Sequence, residues 1–265
     1  MSIARIGDRD LYFERRGTGE PLLLIMGMAG HHNTWGEPFL EQLAENFDVV
    51  TFDNRGIGES TDVPGQFTIV ELANDAVALL EHLGWETAHV MGISLGGMIA
   101  QELVLDVPEM VRTLVIGCSY CGGEGSTLGA PGPMAMFEAM STGDPEQAVR
   151  AGYLANLSPA YTADESHYAP FHDAALSVAV PVDVVLRQAQ AGFVHDTRAR
   201  LHEISTPTLV MHGSGDQMLD YSNGTMIASL IPGARLVTLD DVGHLFWWER
   251  TAETVADIRA IAAMG

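Results

Sequence analysis

Lysine is absent. All 13 basic residues of the 265-residue chain are arginine, set against 35 acidic side chains, and the formal net charge is −22. Without lysine no lysine Schiff base can form, which excludes lysine-anchored pyridoxal phosphate and Schiff-base aldolase chemistry. A Walker-type phosphate loop and a kinase strand lysine are excluded with it. The charge repels nucleic acid and anionic membrane surfaces, so neither is expected as a partner. Cysteine is nearly absent too. Cys118 and Cys121 cannot make a disulfide framework, and their C-x-x-C spacing runs into Gly122-Gly123 and not into a helix, so they read as two unpaired thiols. The longest apolar run, residues 21–29, is far too short to span a membrane. The first ten residues, MSIARIGDRD, carry no apolar leader, so a cytoplasmic location is the expectation.

What is present is a regular alternation. Residues 3–16 suggest a strand hairpin. Apolar runs at 21–27 (PLLLIMG), 47–52 (FDVVTF), 88–93 and 111–116 read as buried strands. Stretches with helical spacing at 33–46, 69–83 and 95–105 lie between them. This pattern predicts an α/β fold with a mostly parallel sheet and helices on both faces. From about 120 to 205 the strands stop, and short helices are expected at 134–140, 145–156 and 181–191. The alternation resumes at 207 (TLVMHG), with a helix at 223–230, a strand at 234–239 and a last helix at 246–263. We therefore expect a core of residues 1–119 and 206–265 interrupted by a helical lid over 120–205, all in one domain.

The chemistry-bearing motif is Gly92-Ile93-Ser94-Leu95-Gly96, a G-x-S-x-G held between an apolar strand and an apolar helix. A sharp strand-to-helix turn lifts a serine hydroxyl above the carboxyl edge of the sheet and needs small residues two before and two after it. The Leu95 amide would open the helix, where free N–H groups favour developing negative charge. A serine needs a base. In this architecture an acid and then a histidine should follow. Asp216 follows the returning strand (PTLVMHGSGD), and His244 follows the last strand (ARLVTLDDVGH). Asp220, Asp240 and Asp241 are the competing carboxylates. His212 reads as a satisfied histidine at a strand end, and the adjacent pair His31-His32 has no metal-ligand spacing; no metal or cofactor is expected. The glycine-rich loop Met26-Gly27-Met28-Ala29-Gly30 offers the Met28 N–H as a second oxyanion donor. Trp35, Met134, Met136 and Met140, with Met26, Met28 and Met98, are candidate apolar lining for a substrate pocket.

Taken together, the loop at 22–30, the segment Asp53-Asn54-Arg55-Gly56-Ile57-Gly58-Glu59-Ser60, the elbow, Asp216 and His244 resemble the α/β-hydrolase fold family. The tract MGISLGGMIAQE is similar to that of its esterases and enol-lactonases. The resemblance implies a Ser94–Asp216–His244 triad with Met28 and Leu95 amides, and hydrolysis of a small carboxylic ester or lactone through an acyl-enzyme. Carbon–carbon bond hydrolases, cofactor-free peroxidase-like enzymes and non-catalytic ligand receptors share the scaffold. Serine at 94 speaks against epoxide hydrolases and dehalogenases, which use an aspartate there. The −22 charge favours neutral substrates whose acid product is repelled after cleavage.

Overall fold

A computed structural model describes residues 2–265. Eight strands form one sheet: β1 (Ser2–Ile6), β2 (Arg9–Arg16), β3 (Glu20–Ile25), β4 (Phe47–Phe52), β5 (Ala88–Ile93), β6 (Val111–Gly117), β7 (Thr208–Gly213) and β8 (Arg235–Leu239). Their spatial order is β1-β2-β4-β3-β5-β6-β7-β8. The β1–β2 and β2–β4 pairs are antiparallel, and all later pairs are parallel. Strands β3 to β7 read as continuous apolar runs because both faces are covered. Leu23, Ile25, Val90, Leu114, Ile116 and Val210 face one core. Leu22, Leu24, Met91, Ile93, Val115, Leu209 and Met211 face the other. This is the period-two alternation of a pleated strand buried on both sides.

The helices are α1 (Glu37–Ala44), α2 (Ile69–His82), α3 (Leu95–Asp106), α4 (Gly132–Ser141), α5 (Pro145–Asn156), α6 (Pro159–Thr162), α7 (Tyr168–Leu176), α8 (Val182–Phe193), α9 (Tyr221–Leu230), α10 (Phe246–Glu249) and α11 (Thr251–Ala262). Helix α2 starts at a capping box: Glu71 N donates to Thr68 Oγ1, and Thr68 N donates back to the Glu71 carboxylate. Two expected helices are interrupted. The one read over 33–46 splits at Gly36, whose φ of 77° no helix accepts. The last one breaks at Arg250, which leaves the helical region at φ −131°, ψ 50°. Helix α7 was not legible in the spacing. None of the helices among the described residues is long and apolar enough to cross a membrane.

Five helices, α4 to α8, lie between β6 and β7. A buried polar seam fastens the end of this stretch to α3. Thr197 Oγ1 donates to Gln101 Oε1 at 2.6 Å, Thr197 N donates to Cys121 O at 2.8 Å, and Arg200 grips both Glu102 oxygens at 2.7 and 2.8 Å. His195 is buried in the same seam. Burial, reinforced by the Arg200 charge, pushes its imidazole down to about 4. Burial likewise lowers His31 and His89. The unfolded chain takes up these protons near pH 6.5. The folded chain takes up the His195 proton only near pH 4. Folding is thus unpenalised by His195 above about pH 6.5 and progressively penalised as the pH falls toward 4. We expect urea midpoints to fall across that window in the native chain and to fall less steeply in His195→Gln. Identical slopes would show that His195 is not the titrating group.

Candidate active site

Strand β3 has β4 on one side and β5 on the other, so successive crossovers leave in opposite directions and open a crevice at the carboxyl ends of β3 and β5. The loop after β3 and the turn after β5 meet there. A Cβ on Gly27 would lie 2.9 Å from Ser94 Cβ. The elbow has the crowding expected of it. A Cβ on Gly92 would lie 2.1 Å from Gly96 O, and one on Gly96 would lie 2.0 Å from Ile25 O. Ser94 itself sits at φ 55°, ψ −122°, a left-handed conformation that costs a non-glycine residue about 1–3 kcal/mol. Its surroundings enforce it. Ser94 N donates to Gly117 O (2.9 Å), Gly97 N and Met98 N donate to Ser94 O (3.0 and 3.3 Å), and Ser119 Oγ adds a third donor to that carbonyl (2.8 Å). Ser94 is half-buried.

Asp216 and His244 stand on the loops after β7 and β8. The two loops are stitched together: Ser214 N donates to Leu239 O (2.9 Å), Gly215 N to Val242 O (3.0 Å) and Asp241 N to Ser214 Oγ (2.9 Å). On the other side, Gly243 N donates to Glu249 Oε1 (2.9 Å) and Leu245 N to Asn156 O at the end of α5 (3.0 Å). His244 Nδ1 donates to Asp216 Oδ2 at 2.7 Å. Both residues are buried. Burial alone would raise the Asp216 carboxyl. The His244 charge and hydrogen bonds from His212 and His244 outweigh it and hold Asp216 well below the usual carboxylate range. With its Nδ1 proton committed to that carboxylate, His244 keeps Nε2 as its basic nitrogen. Among the described residues no hydrogen bond joins Ser94 Oγ to His244 Nε2; such contacts commonly tighten only in the substrate complex. The nearest bonded neighbour of Nε2 is Cys118 Sγ at 3.9 Å, and the same thiol donates to His244 O at 3.2 Å.

The competing carboxylates lie elsewhere. Asp220 is exposed and caps α9, its Oδ1 accepting from Ser222 N at 2.9 Å. Asp240 and Asp241 are exposed. Both candidate oxyanion amides, Met28 N and Leu95 N, lack a hydrogen-bond acceptor among the described residues. The Asp53–Ser60 segment braces the Met28 loop from behind. His32 N donates to Asp53 Oδ1 (2.8 Å), its Nδ1 lies 2.9 Å from the same oxygen, and Asn54 Nδ2 donates to Met26 O (3.1 Å). Arg55 is buried against Asp75 at 2.6 Å. From α8, Gln188 Oε1 accepts from Ala29 N at 2.9 Å.

The pocket residues divide. Met28, Met136 and Met140 line one small cleft with Ala29, Pro133, Phe137, Val185 and Met218, and the side chains nearly fill it, leaving about 10 Å³. Trp35 does not line it. That ring is fully buried, stacked on Phe39 and packed on Trp247. It borders a separate cavity of about 510 Å³ between α7 and the core, with Trp248 and Tyr161. The break at Gly36 turns Trp35 into the core on the far side of the loop. Met134 is 66% exposed and also leaves the lining, because the face of α4 that meets the cleft carries Met136 and Met140.

Sequence reasoning missed three residues. His212 Nε2 lies 3.0 Å from Asp216 Oδ2, so it is a second imidazole on the acid and more than a satisfied strand-end histidine. The four-residue spacing in HGSGD was the available signal. Ser119 and Gln188 carried no signal. Cys118 and Cys121 are unpaired, as expected, and both are buried. Cys118, Asp216 and His244 place ligand-type atoms within 4.8 Å of one another. Each Asp216 oxygen already accepts two N–H groups, which suits an acid–base pair better than a metal ligand.

A family model for the alpha/beta hydrolase fold matches residues 20–141 and 144–251. A RutD protein of Azorhizobium caulinodans, named for carbamate hydrolysis, is 33% identical over 251 residues, covering 93% of this chain and 92% of that protein. The poly(3-hydroxyalkanoate) depolymerase of Ectopseudomonas oleovorans is 30% identical over 243 residues, covering 90% of this chain and 82% of that protein. The solved structure of Est816, described as an N-acyl homoserine lactone degrading enzyme, superposes with a TM-score of 0.81 at 29% identity, covering 98% of this chain and 99% of that one. The sheet order, the elbow between β5 and α3 and the family match lead to one conclusion: this chain belongs to the α/β-hydrolase family.

Proposed function

We propose that the protein is a serine hydrolase that cleaves a neutral carboxylic ester or lactone through an acyl-enzyme on Ser94. The observation that carries this reading is the 2.7 Å contact from His244 Nδ1 to a buried, ionised Asp216, on the same sheet rim as a strained serine. His244 Nε2 takes the Ser94 proton as Oγ attacks the carbonyl, and the imidazolium is stabilised by Asp216. The carbonyl oxygen becomes an oxyanion facing the Met28 and Leu95 amides. The imidazolium returns its proton to the leaving alkoxide. Water, deprotonated by the same nitrogen, then releases the acid.

Helices α4 to α8, residues 120–205 in the sequence reading, act as the lid. The methionine cleft must open to admit an acyl group, and methionine side chains re-form around different shapes at little cost. The names of Est816 and the depolymerase describe cleavage of lactones and poly(3-hydroxyalkanoates), and both bonds are esters. The RutD name makes a carbamate a worthwhile member of the substrate panel.

The test is turnover of short p-nitrophenyl esters and of lactones by the native chain and three variants. Ser94→Ala should lose about 10⁴-fold or more in kcat, and Asp216→Asn a comparable factor. Asp220→Asn should stay within about threefold, since asparagine also caps a helix. The reverse ranking of the two aspartates would reassign the acid. No turnover by the native chain across the panel would overturn the reading.

Cys118 offers a rival nucleophile beside His244. Burial, and then the Asp216 charge, push its thiol far up, so it holds its proton. Cys118→Ala should keep activity within about tenfold, and the native thiol should resist iodoacetamide. A loss as deep as that of Ser94→Ala would make the thiol the nucleophile.

A further inference from the structure

Two imidazoles reach one oxygen. Asp216 Oδ2 receives His244 Nδ1 at 2.7 Å and His212 Nε2 at 3.0 Å, while Oδ1 receives the Met218 and Leu219 amides at 2.7 and 3.0 Å. The hydrolytic reading uses His244 alone. We propose that His212 is a positioning residue: its Nε2–H fixes Asp216 Oδ2 toward His244 and keeps that oxygen a weak proton acceptor. The inference rests on the ester-hydrolysis reading of Ser94.

The tautomer follows from the neighbours. His212 Nε2 also faces Leu219 O at 3.1 Å. A backbone carbonyl only accepts, so the proton is on Nε2 and is shared between the two oxygens. The ring has no freedom to leave. It is fully buried, and its Nδ1 has no partner. A Cβ on Gly224 of α9 would lie 2.5 Å from that Nδ1, so the helix backbone packs directly on the ring edge. Tyr221 meets the ring edge-on at 5.8 Å. The chain reversal through Gly213-Ser214-Gly215 folds Asp216 back over a histidine four residues earlier, so both partners come from one turn.

The second donor matters for the proton on His244. An oxygen holding a single N–H is more basic. With His212 in place, Oδ2 shares its lone pairs, and less of the imidazolium proton's charge is drawn onto Asp216. Removing the donor should make the carboxylate the stronger partner and hold His244 protonated to a higher pH. The other titratable groups around this pair are Cys118 after β6, Asp220 and Tyr221 before and at the start of α9, Asp240 and Asp241 after β8, and Glu249 of α10. All of them are unchanged in the variants below.

The experiment measures p-nitrophenyl butyrate hydrolysis from pH 5 to 9 in the native chain, His212→Phe and His212→Gln. Phenylalanine keeps the ring and removes the donor. Glutamine places an amide N–H as many bonds from Cβ as Nε2. His212→Phe should lose about 10–100-fold in kcat with KM within about twofold, and its acid limb should move up by about one pH unit. His212→Gln should recover kcat to within about threefold and return the limb. If the phenylalanine variant does not fold, His212→Asn replaces it, because its amide is one bond too short. A phenylalanine variant with native kcat and native limb would overturn the proposal. So would a glutamine variant as poor as phenylalanine or asparagine, since packing alone would then explain the loss. A native chain that turns over no ester overturns the hydrolase reading itself, an outcome distinct from both.

Discussion

A carboxylate carried out of water must collect hydrogen-bond donors or give up its charge, and the ends of β7 and β8 are arranged around that requirement. Asp216 is buried and accepts from two amides of its own loop and two imidazoles. Each donor depends on a different part of the fold. The Met218 and Leu219 amides require the tight turn after Gly213. His212 requires α9 to pack glycine against it. His244 requires the β8 loop to be stitched to the β7 loop and held by Glu249. Ser94 is placed just as indirectly, in a left-handed conformation secured by four hydrogen bonds and by glycines that cannot be enlarged. The strain and the buried charge are local costs that the surrounding sheet offsets.

Much of this was legible in the residues. The apolar runs at 21–27, 47–52, 88–93, 111–116 and 208–213 became strands because a strand covered on both faces needs an apolar residue at nearly every position. Glycines two before and two after Ser94 mark the elbow by steric necessity. His244 and Asp216 were legible as residues just past strand ends. The pocket was not. Whether Trp35 faces the methionine cleft or the core depends on the single left-handed residue Gly36. Whether Met134 or Met136 faces it depends on the rotation of α4, a helix with little apolar contrast between its faces. His212 reads in the sequence only as a satisfied strand-end histidine, for a different reason. Its partner is a side chain folded back by a turn, and a list of strand residues does not show that return.

The composition takes on meaning beside the site. A chain without lysine has no side-chain amine nucleophile, and the proposed hydrolysis calls on a serine, an imidazole, a carboxylate and two amides instead. The abundance of acid made any one aspartate weak testimony. Geometry separates them, because Asp216 alone of the four candidates is buried against an imidazole, while Asp220, Asp240 and Asp241 face solvent. The −22 field also suits the proposed conversion of a neutral substrate into an anion, whose departure it would favour.

The central claim is that Ser94 becomes covalently acylated with His244 as its base. Mass-spectrometric peptide mapping after brief exposure to a fluorophosphonate, and after acid quench of a slowly deacylating aryl ester, reads this directly. The account predicts one adduct per chain, on the peptide holding Ser94, and a faster adduct rate as the pH rises through the histidine range. An adduct on Cys118, or ester turnover with Ser94 left unmodified under both treatments, would contradict it.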